Sequence, residues 1–142
     1  MNRIKKYFII LLWLVGLHSF FVAIGMLTLP ASMMTFFGFE FQPGNFFRAQ
    51  GGAFHIVMAA IYILASYHID KSFHLIAASV IAKLIGTVFL FSYYILINPL
   101  WTVLVSGVGD FLMGAAILIM FILYVKRKYG IEKINIFYLL FK

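Results

Sequence analysis

"IAASVIAKLIGTVFLFSYYI", residues 76–95, is an apolar run that carries no acidic group and a single cation, Lys83, near its middle. A helix of about 20 such residues crosses the roughly 30 Å hydrocarbon core of a bilayer. The rest of the chain reads the same way. Of its 142 residues, 65% are hydrophobic and only 11% charged, and the mean hydropathy is +1.07. Soluble domains are about 45–50% apolar and about 25% charged, and a core of this size could not absorb so much apolar surface. The chain therefore reads as integral to a membrane, with the lipid bilayer as its first partner.

A net charge of +7 would invite nucleic acid in a soluble protein. Here the cations cluster at the chain ends, which points to orientation and lipid headgroups, so no nucleic-acid partner is expected. Cysteine is absent, which excludes disulfides, thiolate metal sites and thiol redox chemistry.

Working outward from residues 76–95, four spans are expected: 7–29, 46–67, 75–97 and 101–125. The first ends at Pro30 and the third at Asn98-Pro99, where a helix loses a backbone donor, and the fourth is expected to halt at the charge run "KRK", residues 126–128. The basic start "MNRIKK" resembles that of a signal peptide. Its apolar run far exceeds the roughly 7–15 residues of a signal core, and no small-residue cleavage site follows, so it is read as a retained helix. Helices apolar all round fit a membrane interior, and the alternation that a membrane barrel requires is absent. The expected fold is all-α, a single-domain integral membrane four-helix bundle.

Nine of the 11 cations (Arg3, Lys5, Lys6, Lys71, Lys126, Arg127, Lys128, Lys133 and Lys142) fall on one side of this layout. By the positive-inside rule both termini are cytoplasmic. The protein is expected in the cell membrane, multi-pass. The loop at 30–45 holds "MMTFFGFEFQPG", an aromatic segment suited to the outer interface and punctuated by Gly38, Pro43 and Gly44. The tail at 126–142 includes "INIFYLLFK", too short to span and suited to the inner interface.

Each span carries one ionisable residue well inside the bilayer: His18, His55, Lys83 and Asp110. At about 1.5 Å per residue they lie roughly 14–21 Å from the outer ends of their helices, deep enough to form one layer. Ser79, Lys83 and Thr87 follow at helical spacing on the third span, and Thr102, Ser106, Asp110 and Gly114 on the fourth. On the second, Arg48, Gly52, His55, Ala59 and Tyr62 share a face. Polar and small residues mark inward faces in a membrane bundle.

A lone charge at the bilayer centre costs about 2.5–3.5 kcal/mol on insertion scales. The third and fourth spans form a tight hairpin, so Lys83 is expected to face Asp110. Such a pair can be structural, fixing helix register, or it can belong to a ligand or proton site. His55 with Arg48 could receive an anionic group at the outer surface, with Gly51 and Gly52 leaving room beside them. Alternatively Arg48 is an interfacial anchor. His18 is explained equally well by donation to a neighbouring carbonyl. No metal spacing of the H-x-x-x-H kind is present, and nucleophilic triads, phosphate loops and dinucleotide fingerprints are missing. The chain announces no cofactor, and catalytic residues are not evident.

"RAQGGAFHIVMAA" opening the second span and "GVGDFLMGAAIL" in the fourth resemble the DoxX-like group of small bacterial four-helix membrane proteins. On that pattern the carried-over positions are Arg48, Gly51, Gly52 and Asp110. The resemblance implies a bacterial inner membrane and, through the quinone-linked complexes of some relatives, an apolar ligand between the helices; most members of the group have no assigned activity, and the leading expectation is a non-enzymatic protein. The expectation is a buried polar layer that binds a small lipid- or quinone-like molecule or supports a membrane complex, with a homo-oligomer or another membrane protein as partner. A proton-coupled carrier using Asp110 and the histidines, and a subunit of a membrane oxidoreductase, are the alternatives.

Overall fold

The computed structural model describes residues 3–38 and 46–130. They form five helices: α1 (Arg3–Thr28), α2 (Ala31–Phe36), α3 (Phe46–Tyr67), α4 (Phe73–Leu96) and α5 (Trp101–Tyr129), with no strand among the described residues. All but α2 are long and apolar enough to cross a membrane. Pro43, Gly44 and the tail "INIFYLLFK" lie outside the described residues.

Two boundaries differ instructively from the sequence expectation. α1 starts at Arg3, so Lys5 and Lys6 are helical, and α5 runs through Lys126, Arg127 and Lys128. Lysine and arginine are good helix formers, and cations in a last turn favour the negative end of the helix dipole. The charge run therefore does not end the helix. Gly130 does, with φ +63° and its N–H donating 3.0 Å to the Lys126 carbonyl, a left-handed cap that glycine adopts without strain.

The aromatic loop contributes the short α2. Gly38 closes it at φ +87°, and the Thr102 hydroxyl donates 2.8 Å to the Phe37 carbonyl, tying the segment to the first turn of α5. Met33 and Phe36 remain exposed.

α1 packs mainly against α3, and α4 against α5; contacts of α1 with α5 and of α3 with α4 close the ring. Both main pairs are antiparallel. Along α1, residues 5, 19 and 26 meet residues 70, 55 and 48 in reverse order. Glycines set the approach. A Cβ on Gly16 would stand 3.1 Å from Ile63, and one on Gly107 would stand 3.0 Å from Phe91. In a bundle whose helices gain nothing from leaving apolar lipid, such close backbone contact and its dispersion energy hold the pairs together.

The core is lopsided. Phe8, Leu12 and Val15 of α1 meet Met58, Tyr62 and Ala65 of α3, Ile76 and Val80 of α4, and Ile117, Phe121, Tyr124 and Val125 of α5, with Ile69 below. All belong to the half that holds the start of α1, the α3–α4 turn and the end of α5, here called the basic end. In the opposite half the buried residues are small or polar: Ala23, Gly52, Thr87, Thr102, Val103 and Gly107.

Asp70, in the α3–α4 turn, fastens the basic end. It accepts hydrogen bonds from Lys5 of α1 and Tyr124 of α5, and Lys128 of α5 lies 2.9 Å away. Lys128 also sits 5.1 Å from the Tyr129 ring centroid. The Lys5 ammonium first, then the Tyr124 hydroxyl and Lys128, hold the Asp70 carboxyl well below the usual carboxylate range. This contact brings α1, the turn and α5, and with them Arg3, Lys6, Lys71, Lys126 and Arg127, to the same end of the bundle.

Candidate functional site

The polar residues collect where the tight core stops. Lys83 of α4 donates to Asp110 Oδ1 of α5 at 2.5 Å, with the lysine side chain 5% exposed and the aspartate 20%. The two helices make room for each other's charge. A Cβ on Gly114 of α5 would stand 3.0 Å from Lys83 Cβ, and a Cβ on Gly86 of α4 would stand 2.7 Å from Asp110 Oδ2. Each ionic side chain thus lies across a glycine of the facing helix, one turn from its partner. Lys83 Nζ also sits 5.9 Å from the ring centroid of buried Tyr62, whose negative face suits a desolvated cation.

The other polar residues of the α4 stripe turn inward on their own helix. Ser79 donates 2.7 Å to the Leu75 carbonyl and Thr87 donates 2.8 Å to the Lys83 carbonyl. Such back-bonding one turn away is how hydroxyls satisfy themselves in an apolar setting. They do not reach the ion pair.

His55 of α3 is half-buried, and its partner on α1 is Ser19, with Ser19 Oγ 3.1 Å from His55 Nδ1 and 3.2 Å from the His55 carbonyl. The sequence reading placed His18 in the polar core; the structure instead exposes His18 and buries its neighbour Ser19. Successive helical residues are about 100° apart, so only one of the two can face α3. Among the described residues neither histidine is hydrogen-bonded to the ion pair: His55 is held by Ser19, and Lys83 by Asp110.

Arg48 lies elsewhere, at the far end of the α1–α3 pair. Its Nε and one terminal nitrogen donate to the Met26 carbonyl at 3.1 and 2.9 Å, and the same terminal nitrogen donates to the Leu29 carbonyl at 2.7 Å. These are end-of-helix carbonyls that Pro30 prevents the chain from satisfying by continuing, so Arg48 caps α1. Gly51 and Gly52 do not leave an entrance beside it. A Cβ on Gly51 would stand 2.5 Å from Met26, and one on Gly52 2.8 Å from Leu27, so α1 side chains occupy the space. Arg48 and His55 thus both bind α1, in different turns. Among the described residues no three histidine or carboxylate side chains converge as a metal ion would require.

Sequence reasoning missed Ser19 and Asp70. Ser19 is quiet in an apolar helix. Asp70 did carry a signal: together with Asp110 it is one of only two acidic residues in the described chain, and it stands where three basic helix ends must meet. No family model, curated protein or solved structure matches the chain.

Proposed function

We propose that this is a small, non-enzymatic integral membrane protein, DoxX-like in type and multi-pass in a bacterial inner membrane, whose mid-bundle polar layer receives the head of a small lipid- or quinone-like ligand. Both termini are cytoplasmic in this reading, supported by the gathering of Lys5, Asp70 and Lys128 and the neighbouring cations at one end.

The observation that carries the reading is the position of Lys83–Asp110 directly above a dry core. Beneath the pair, Phe8, Leu12, Ile76, Ile117 and Phe121 are essentially fully buried and span the bundle. A carrier needs a polar path from each surface to its midplane site; a binding module needs access from one direction only. The apolar plug favours the module. A charged pair that is not fully sealed, with Asp110 20% exposed in a membrane-spanning helix, is where a hydrogen-bonding head would dock.

The test is native mass spectrometry of the chain purified from its membranes. The wild-type protein should retain a small apolar molecule that the Lys83→Met/Asp110→Leu double variant, folded but lacking the polar head site, does not. Bare wild-type protein, or the same load on both, would sink the proposal.

A further inference from the structure

We infer that the head received by the layer is a neutral hydrogen-bond donor, an alcohol-type hydroxyl on a long apolar body, and that Asp110 Oδ2 is the atom that accepts it. The inference rests on the reading of the layer as a ligand site and names the chemical class that site selects.

The accessible chemistry of the pair is one-sided. Lys83 is withdrawn: its side chain is 5% exposed, its ammonium donates 2.5 Å to Asp110 Oδ1, and Tyr62 lies beside it. An anionic head approaching the layer would meet the carboxylate before the ammonium, so anion binding is disfavoured. A cationic head would gain attraction from Asp110 and lose it to Lys83 beside it, since the pair is neutral as a unit. Selection is left to hydrogen bonding.

On the aspartate, Oδ1 is taken and Oδ2 is not. Among the described residues no donor reaches Oδ2, and no buried side-chain oxygen or nitrogen lacks a partner. Oδ2 is therefore open at the surface of the bundle. Gly86 puts it there, because the oxygen lies 2.7 Å from where a Cβ would stand. Any larger residue would drive the carboxylate off α4. The site is nine residues into α5, roughly 14 Å along the helix axis, where bulk water is not at hand. An acceptor left unpaired at that depth is costly, and a lipid-soluble donor removes the cost. A ligand that only accepts hydrogen bonds gains nothing at Oδ2, which narrows the lipid- or quinone-like class to its hydroxyl-bearing members and sets aside an oxidised quinone.

The probes are oleyl alcohol and oleyl methyl ether, which share a chain and differ in the donor. The full chain is held in phosphatidylcholine nanodiscs, whose headgroup carries no donor, and binding is titrated by native mass spectrometry. The alcohol should bind roughly tenfold more tightly than the ether, the scale of one hydrogen bond to a charged acceptor. Gly86→Ala, which keeps both ionic residues in the chain but displaces the Asp110 carboxylate from its seat on α4, should reduce alcohol binding toward that of the ether and leave the ether unchanged. Asp110→Asn, which offers an amide in place of the free oxygen, should also abolish the preference. Equal binding of the two probes, or tighter ether binding, overturns the inference while leaving a ligand site standing. Binding of neither overturns the ligand-site reading beneath it. An alcohol preference that survives both substitutions removes Asp110 Oδ2 as its origin.

Discussion

Replacing Lys83 and Asp110 singly and together measures what the ion pair contributes. Removing one partner of a buried pair costs about 3–5 kcal/mol, because the survivor keeps its charge without its counter-charge. The structure ranks the two single losses. In Asp110→Leu the survivor is Lys83, 5% exposed and walled by Tyr62 and Gly114. In Lys83→Met the survivor is Asp110, 20% exposed at the bundle surface and so less tightly enclosed by the protein than Lys83. Asp110→Leu should therefore fall toward about 5 kcal/mol and Lys83→Met toward about 3 kcal/mol. The double variant puts two apolar side chains of similar size into an apolar site and should lie within about 1 kcal/mol of wild type, since such replacements are often neutral. Reversible unfolding in mixed micelles with increasing sodium dodecyl sulfate reads all four proteins on one scale. If the double loss equals the sum of the single losses within about 0.5 kcal/mol, the residues are not coupled and the reasoning fails.

Arg48→Met should destabilise by about 1–2 kcal/mol through loss of the α1 cap, and Arg48→Lys by less, since lysine keeps the charge but not the forked geometry; unchanged unfolding of Arg48→Met would return the arginine to an interfacial role. At the basic end, Asp70 is held below its ordinary range, so its contribution is present above the unfolded carboxyl value near 4 and is lost as pH falls through the folded value. Because the side chain is 42% exposed, that contribution is screened and should be within about 1 kcal/mol. Wild type should therefore lose more stability than Asp70→Asn between pH 7 and pH 2, and parallel pH profiles would count against the clasp. For orientation, single cysteines at Lys71 and Phe36 of the cysteine-free chain should label with an impermeant thiol reagent on intact cells only at Phe36; labelling at Lys71 alone would invert the topology.

The four long helices were legible because the feature that identifies them is local. A run such as 76–95 needs no partner to declare itself, and Pro30 and Asn98-Pro99 stop helices by backbone chemistry alone. The end of α5 was less legible because "KRK" looks like a stop by charge, whereas charge only sets where lipid ends. The backbone continues until Gly130, whose left-handed φ is the actual terminator. The lopsided core was not legible at all. α1 is apolar on every side, so its sequence does not distinguish the face that meets Phe121 and Tyr124 from the face that meets lipid.

That same ambiguity decided which site residues could be found. Lys83 and Asp110 announce each other because a charge in an apolar helix needs a counter-charge, and a short hairpin allows only one nearby. His18 and Ser19 have no such constraint. Both are polar, they are adjacent, and the larger side chain draws attention; but Gly16 and Ala23, which are buried against α3, lie on the same face as Ser19. Small residues at helical spacing therefore carried more information about the interface than the titratable one did. The physical reason is that close approach in a membrane is limited by volume, whereas a half-exposed histidine at a bundle surface costs far less than a buried lysine. A polar residue flanked at three and four residues by glycine or alanine is the better candidate for a buried partner. By that criterion Ser19, Lys83 and Asp110 are found together, each with a glycine at one such position: Gly16 for Ser19, Gly86 for Lys83 and Gly114 for Asp110.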